Sequence, residues 1–240
     1  MPWYALLALT TVSGLVQSLT GFGAGVVMLL VLPSYFNMLQ APALSCAICL
    51  GLTAPMAWKF RKHIRLKLML PPLCFYELGA MVTLNLVGGL DLEFLGIAFG
   101  VFLILLSIYF LFFSKNIQAK PTITSAAVCG TLSGVCNGLF GIGGPMMAIY
   151  FLAITDTKES YSGNQQCLFF ITTIINLFIR IQKGFYTLDL IPMTLIGMVG
   201  IGIGMRFGLK ILSRINSNLL RKIIYVFVGF SGILTLMDYV

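Results

Sequence analysis

Six predominantly apolar runs constrain this chain more than any other feature of its sequence. They cover residues 41–58, 68–87, 94–113, 163–180, 188–206 and 219–237. A transmembrane helix needs about 20 apolar residues, so each run is long enough to cross a bilayer. Over 240 residues, 59% are hydrophobic and only 9% are charged, against about 25% in a soluble domain. The sequence therefore predicts an all-α integral membrane protein.

The net charge of +8 does not indicate a nucleic-acid-binding protein, because Lys and Arg cluster in the short gaps between the runs, as topology signals do. Cys46 and Cys49 have the spacing of a redox pair. Two small apolar residues one helical turn apart explain that spacing as well, since a reactive thiolate needs an electropositive, accessible site. The sequence shows no metal-ligand cluster, nucleotide loop or catalytic triad, so we expect no cofactor, no metal and no enzymatic activity.

Two longer regions, 3–36 and 123–155, are each interrupted by glycines, in GFGAG at 21–25 and GIGGP at 141–145. Aligned without gaps, residues 13–32 and 133–152 share six identities and place Gln17 opposite Asn137. A broken region followed by three helices thus occurs twice, offset by 120 residues. We divide the chain into repeats at 1–120 and 121–240 within one membrane domain. Internal repeats built on interrupted helices are typical of secondary transporters.

The basic residues indicate how the repeats are oriented, because short cytoplasmic loops are enriched in Lys and Arg. If both broken regions cross the membrane, the repeats are parallel and the charges divide nine inside against six outside. If each broken region re-enters, the repeats are inverted and the division is thirteen against two, with only Arg180 and Lys183 outside. The count favours inverted repeats, each a re-entrant helical hairpin followed by three transmembrane helices. The 59–67 loop is then cytoplasmic and both termini are periplasmic.

The two glycine breaks form the candidate binding site. Non-helical backbone at membrane depth is tolerated only where protein buries it or where it lines a cavity. Inverted hairpins would bring the breaks together near the midplane, where helices starting near Ala24 and Pro145 would offer unpaired N–H groups and positive dipole ends to an anion. The alternative is that the glycines only allow close packing, which Gly200, Gly204 and Gly208 fit well. The predicted substrate-binding residues are Gln17, Gly21, Gly23, Ala24, Gly25, Asn137, Gly141, Gly143, Gly144 and Pro145.

Four other polar residues within the apolar runs are candidates for a role in transport. A carboxylate at the depth of Glu77 is expensive and indicates function, such as carrying a proton or coupling ion, although a structural partner for a neighbouring helix is an equal alternative. Gln165, Gln166 and Asn176 are candidate pathway residues, and interhelical hydrogen bonding is the alternative for them.

The segments SGLVQSLTGFGAG at 13–25 and SGVCNGLFGIGGP at 133–145 resemble the TauE/SafE sulfite exporter family, also called the sulfonate-uptake permease superfamily. The resemblance covers the whole chain in length, segment count and duplication. It implies a transporter of sulfite, sulfonates or other small organosulfur anions that is coupled to an ion gradient. The second motif in the family often ends in a third glycine, where this chain has Pro145, and this departure concerns the substrate more than the architecture.

The sequence therefore predicts a secondary transporter for a small anion in the inner (plasma) membrane, which it crosses several times. A passive anion channel of the same architecture is the alternative, and a redox relay through Cys46 and Cys49 is a third hypothesis. The expected partners are the anionic substrate, the lipid bilayer and H+ or Na+ as coupling ion, without nucleic acid, and a homodimer stays open. The sequence leaves open which anion is moved, and in which direction.

Overall fold

The computed structural model describes residues 1–112, 122–211, 233 and 236–237, which contain α-helices, short 3-10 turns and no β-strand. The apolar run at 219–237 lies almost wholly outside these residues. The helices are α1 Trp3–Thr20, α2 Ala24–Leu29, α3 Gln40–Lys59, α4 Leu66–Val87, α5 Leu92–Phe112, α6 Ile123–Phe140, α7 Gly144–Ile154, α8 Lys158–Gln182 and α9 Ile191–Ile211. The all-helical class predicted from the sequence is confirmed for this part of the chain.

Four helical segments in the described residues are long and apolar enough to cross a membrane: Gln40–Lys59, Leu66–Val87, Ile123–Phe140 and Leu188–Lys210. The longest helix, α8, is not among them. It carries buried polar residues, including Gln165, Asn176 and Arg180, which lower its hydropathy. Since these side chains face protein, α8 is a core helix with a polar interior face.

Glycines with left-handed backbone end α1 and α6. Gly21 has φ +85° and follows α1, Gly23 has φ +105° and precedes α2, and Gly141 has φ +72° and follows α6. An L side chain in this region costs roughly 1–2 kcal/mol, so glycine is favoured at each position. Pro145 stands in the first turn of α7, where its missing N–H removes no intrahelical bond.

The two most extensive helix contacts join opposite halves of the chain, α1 with α9 and α4 with α6. Gly200, Gly204 and Gly208 lie in turn against Leu7 and Thr10, Thr11 and Leu15, and Leu15 and Ser18. Positions along α1 and α9 therefore increase together, and the two helices run parallel. None of these glycines leaves room for a Cβ atom, because each faces a backbone carbonyl of α1. Their predicted role in close packing is confirmed.

The pair α4 and α6 is built in the same way. Gly130 lies against Pro72, Gly134 against Tyr76 and Gly138 against Thr83, so these helices also run parallel.

Helices α3 and α8 pack together between the two pairs and run in opposite directions. Gly163 near the start of α8 faces Phe60, which follows α3. Farther along, the Cys46 thiol of α3 lies 3.6 Å from the Thr173 carbonyl oxygen of α8. This central antiparallel pair separates α1 and α9 from α4 and α6.

Candidate functional site

The segments after α1 and α6 lie against each other. A Cβ atom built on Gly25 would be 3.4 Å from the Gly141 carbonyl oxygen, and one on Gly144 would be 3.0 Å from Cβ of Phe22. Because Gly25 and Gly144 have no side chains, the backbones of the two breaks approach closely. The structure therefore brings together the two sequence segments that the duplication singled out.

A cavity of about 70 Å3 lies at this meeting point. At about 10–15 Å3 per water by the same measure, it has room for roughly five waters or one small anion. Its walls come from both breaks and from α3, α4 and α8. Its lining includes these predicted site residues: Gln17, Gly23, Gly25, Asn137, Gly141, Gly143, Gly144 and Pro145. Gly21 and Ala24 lie in the first break but outside the lining.

Polar and small side chains complete the wall opposite the breaks. They are Ser45, Cys46, Cys49 and Thr53 of α3, Tyr76 of α4, and Thr172 and Thr173 of α8. Cys46 and Cys49 are free thiols and face the cavity from one side of α3. The lining thus offers hydroxyl and amide donors together with unpaired backbone, but no formal charge.

Neutral side chains tie the first break to α8. The Gln17 side-chain oxygen accepts from the Ala24 N–H (3.1 Å), and its amide nitrogen donates to Gln166 Oε1 (3.2 Å). Gln166 Nε2 donates to the Gly21 carbonyl (2.8 Å), and the Tyr161 hydroxyl donates to the Thr20 carbonyl (3.0 Å). Gln17 therefore caps α2 through its oxygen, and the Ala24 N–H is occupied by protein.

A charged side chain ties the second break to α8. One Arg180 guanidinium nitrogen donates to the Asn137 carbonyl (2.9 Å) and the Gly138 carbonyl (3.3 Å). These carbonyls belong to the last turn of α6, which carries negative partial charge. Arg180, counted above among the charges outside the membrane, belongs to α8, which continues to Gln182, and only 1% of this residue is exposed. The missed signal is the spacing of Asn176 and Arg180, which puts both on one helix face.

Glu77 is buried in α4 and faces α8. Asn176 Nδ2 lies 3.3 Å and 3.5 Å from its two carboxylate oxygens and also donates to the Thr172 carbonyl (2.7 Å). The carboxylate stands behind the cavity wall rather than in it, because its neighbours Tyr76 and Thr172 form the lining. Both interpretations of Glu77, proton carrier and interhelical partner, agree with this placement.

Two buried amides lack full hydrogen bonding within the described residues. Gln165 is fully buried with neither side-chain atom bonded, and Asn176 Oδ1 also lacks a partner. Buried polar groups are normally paired because leaving one unpaired costs roughly 1–3 kcal/mol. Both side chains share the α8 face that carries Thr172 toward the cavity.

A second cavity of about 250 Å3 lies at the N-terminal end of α8. Its lining includes Thr20, Gly21, Asp156, Lys158 and Tyr161. The first break lies between this cavity and the central one. Two hydrogen bonds hold it there, from Tyr161 to the Thr20 carbonyl and from Gln166 to the Gly21 carbonyl.

Comparison with protein families gives a match to the family described as sulfite exporter TauE/SafE over residues 6–235. The match covers nearly the whole chain, and the resemblance drawn from the two glycine motifs is confirmed. Comparison with curated proteins and with solved structures gives no match.

Proposed function

We propose, from the premise that this chain belongs to the TauE/SafE family of membrane transporters, that it is a secondary transporter for a small anion. The anion is sulfite, a sulfonate or another organosulfur anion, held between the two glycine breaks near the bilayer midplane. The central cavity carries the proposal, because eight of the residues predicted from the duplicated motif line one cavity of suitable size. The family and the four apolar helices support a multi-pass protein, which we place in the inner membrane.

Backbone N–H groups supply most of the proposed anion binding. The first N–H groups of a helix have no intrahelical partner, and α7 presents those of Gly144 and Met146 beside the cavity. The α7 dipole adds about 0.3–2 kcal/mol of anion stabilisation. At α2 the Ala24 N–H is held by Gln17, so Gly25 and Val26 are the donors we assign there. Asn137 completes the site with its side-chain amide, and Gln17 adds the second N–H of an amide whose first N–H is held by Gln166.

We infer that the two halves, 1–120 and 121–240, are inverted repeats. The antiparallel packing of the corresponding helices α3 and α8 supports this orientation, and the parallel pairs α1 with α9 and α4 with α6 are compatible with it. Because Arg180 is buried, the division of loop charges for this arrangement becomes thirteen against one. The 59–67 loop is then cytoplasmic and both termini are periplasmic. Labelling of single cysteines at 59–67 only from the periplasmic side would contradict this topology.

The hydrogen bonds at the two breaks support a carrier rather than an open channel. Tyr161 and Gln166 hold the end of α1 on one side, and Arg180 holds the end of α6 on the other. A carrier opens one such closure at a time, so that the site faces the two sides in turn. A channel would need both closures open together.

Transport in proteoliposomes tests the proposal. Purified protein is reconstituted with an imposed pH or sodium gradient, and radiolabelled sulfite, sulfoacetate and taurine are offered beside simple carboxylates. We expect at least one organosulfur anion to accumulate above its outside concentration, which a channel cannot achieve without a membrane potential. The potential is therefore clamped with potassium and valinomycin. Equilibration without accumulation would establish the channel, and no flux of any of these anions would contradict the proposed substrate class.

A further inference from the structure

Among the described residues, the protein core contains a positive charge, Arg180, with no acidic group within 4 Å of it. Arg180 is 1% exposed, and its guanidinium donates to two backbone carbonyls. Across the described residues, the ion pair within 4 Å is Arg65 with Asp156, at the surface. A charge at membrane depth is expensive and is normally paired or functional. The guanidinium therefore needs a compensating charge that the carbonyl dipoles supply only in part.

Glu77 is a buried acidic group that contacts the same face of α8 as the one that carries Arg180. It is bonded to Asn176, which lies one turn before Arg180 on the same face of α8. The carboxylate approaches this face from α4, and the guanidinium reaches from it to α6. While Glu77 is ionised, this part of the core is neutral, and when Glu77 takes up a proton, the core carries one positive charge.

Both charges stand directly behind the wall of the central cavity. Asn137 lines the cavity and accepts from Arg180 through its carbonyl, while Thr172 lines it and accepts from Asn176. An anion in the cavity is thus attracted by Arg180 and repelled by ionised Glu77. Where the dielectric constant is low, charges separated from the anion by a single layer of residues interact strongly with it.

We propose that Glu77 and Arg180 couple the binding of one proton to the binding of the anion, so that the two cross the membrane together. This rests on the proposed function and names its coupling ion. The proton moves from water on the entry side to a Glu77 carboxylate oxygen when the anion enters beside Arg180. It returns to water on the exit side when the anion leaves, and the ionised carboxylate again balances the guanidinium. No covalent bond to the substrate forms or breaks.

Asn176 suits both protonation states of Glu77. Its amide nitrogen donates to the ionised carboxylate, and its oxygen has no partner within the described residues. The protonated acid keeps a carbonyl oxygen that accepts from the same amide nitrogen, so Asn176 stays bonded to Glu77 and to the Thr172 carbonyl in both states.

The other titratable groups near Glu77 do not change charge in the same range. They are Tyr76 on α4, Cys46 on α3 and Cys136 on α6, and Arg180 on α8. Thiols and phenols ordinarily titrate at about 8.5 and 10, and arginine above 12. Below about pH 8, Glu77 is therefore the group of this set whose ionisation alters the field in the cavity.

Binding of methanesulfonate, whose charge is constant from pH 5 to pH 8, tests the linkage. It is measured calorimetrically on the purified full chain in detergent, with buffers of different ionisation enthalpy to count protons taken up. We expect the wild-type Kd to rise with pH, approaching tenfold per unit where linkage is complete, and proton uptake on binding. Glu77→Gln, which imitates the protonated acid, should bind tightly at every pH and take up no proton.

Arg180→Gln should weaken binding about tenfold to hundredfold at low pH, the value of a charge-assisted interaction. Arg65→Gln, which removes an exposed arginine, is the matched control and should bind as wild type does. If Arg180→Gln does not fold, Arg180→Lys takes its place and should keep the pH dependence because it keeps the charge.

The outcomes separate this inference from the proposed function. A wild type that binds none of methanesulfonate, sulfite and sulfoacetate contradicts the proposed function. Binding that is independent of pH, or a pH dependence that persists in Glu77→Gln, overturns the coupling and leaves the anion site standing. Equal affinity in Arg180→Gln and wild type overturns the role of the guanidinium.

Discussion

The two breaks share a backbone design and differ in the side chains that hold it. Both follow an 18-residue helix whose final carbonyls receive a donor from α8. At the first break the donors are neutral, from Gln166 and Tyr161, and at the second the donor is the Arg180 guanidinium. The returning helices differ as well, with six residues in α2 and 11 in α7. The first break is held by an amide and a hydroxyl, and the second is held by a charge.

The difference arises in the helices that pair across the duplication. At an offset of 120 residues in the sequence, α8 has Gln166, Asn176 and Arg180 where the first half has Cys46, Met56 and Phe60. Gly197 stands at the same offset from Glu77. Both halves thus have glycines at the breaks, whereas Glu77 and Arg180 have no ionisable counterpart 120 residues away. The halves share a geometry, and their electrostatic roles are distinct.

The largest expected effect concerns the left-handed glycines on which both breaks depend. Gly141→Ala places a Cβ atom 2.8 Å from Cβ of Pro42 at φ +72°. Backbone strain of about 1–2 kcal/mol and overpacking of about 1–3 kcal/mol should together lower the free energy of unfolding by about 2–5 kcal/mol. Thermal unfolding in detergent, followed by circular dichroism, measures the change.

Gly184→Ala is the matched control for Gly141→Ala, because Gly184 has the same φ of +72° with nothing within 4 Å of its Cβ position. It should lose only the strain of about 1–2 kcal/mol. Equal losses in the two variants would show that contact between the second break and α3 contributes nothing.

A smaller effect should separate the aligned amides Gln17 and Asn137. Gln17→Leu leaves the Ala24 N–H and the Gln166 side chain without their partner, which should lower stability by about 1–3 kcal/mol. No side-chain hydrogen bond of Asn137 is found among the described residues, and this amide faces the cavity. Asn137→Leu should therefore leave the melting temperature nearly unchanged and weaken anion binding about tenfold. An equal loss of stability in both variants would show that Asn137 is a structural residue like Gln17, and that the two amides do not differ in role.

Much of this comparison was predictable from the sequence. The apolar runs predicted α3, α4, α5, α8 and α9 to within a few residues at most ends, because burial of apolar surface determines such helices. The duplicated glycines predicted where α1 and α6 end, since a left-handed conformation strongly favours glycine. The placement of the predicted residues around one cavity also agrees with the structure, while their binding of a substrate stays a prediction.

The hydrogen bonds could not be predicted, because they join residues far apart in the chain. Gln17 was expected to donate to a ligand, yet its oxygen caps α2 and its nitrogen meets Gln166. Arg180 was counted as an outside charge because the counting rule treats a charge at the end of an apolar run as exposed. Its burial depends on the α6 carbonyls 42 and 43 positions away, and no local pattern contains that information.

The cavity between the breaks can be narrowed without disturbing the fold. Gly25→Ala puts a methyl group 3.4 Å from the Gly141 carbonyl oxygen and 3.8 Å from the Ser45 hydroxyl, which are ordinary contact distances. Alanine is the better helix former, so stability should not fall. One methyl group in a binding pocket is worth about tenfold, so anion uptake at low concentration should drop by about that factor. Gly202→Ala is the control, since nothing lies within 4 Å of its Cβ position, and uptake equal in both variants would place the substrate elsewhere.

The smallest expected effect concerns Arg65, whose side chain is exposed whereas that of Arg180 is buried. The Arg65 to Asp156 pair spans 3.5 Å with side chains 54% and 81% exposed, and such pairs contribute about 0–1 kcal/mol. The Arg65 backbone N–H also donates to Asn164 Oδ1 (2.8 Å), a bond that a side-chain substitution leaves in place. Arg65→Ala should therefore shift the melting temperature little, and by less still in high salt.

Anion affinity of Arg65→Ala should match wild type at about 0.15 M salt, where the screening length is about 8 Å. Removal of a charge there alters the potential at the surface, whereas the field of Arg180 reaches the cavity through protein that water does not screen. A loss of affinity in Arg65→Ala as large as that in Arg180→Gln would mean that surface potential governs anion entry. The charge difference between the second break and the first would then have no effect on anion binding.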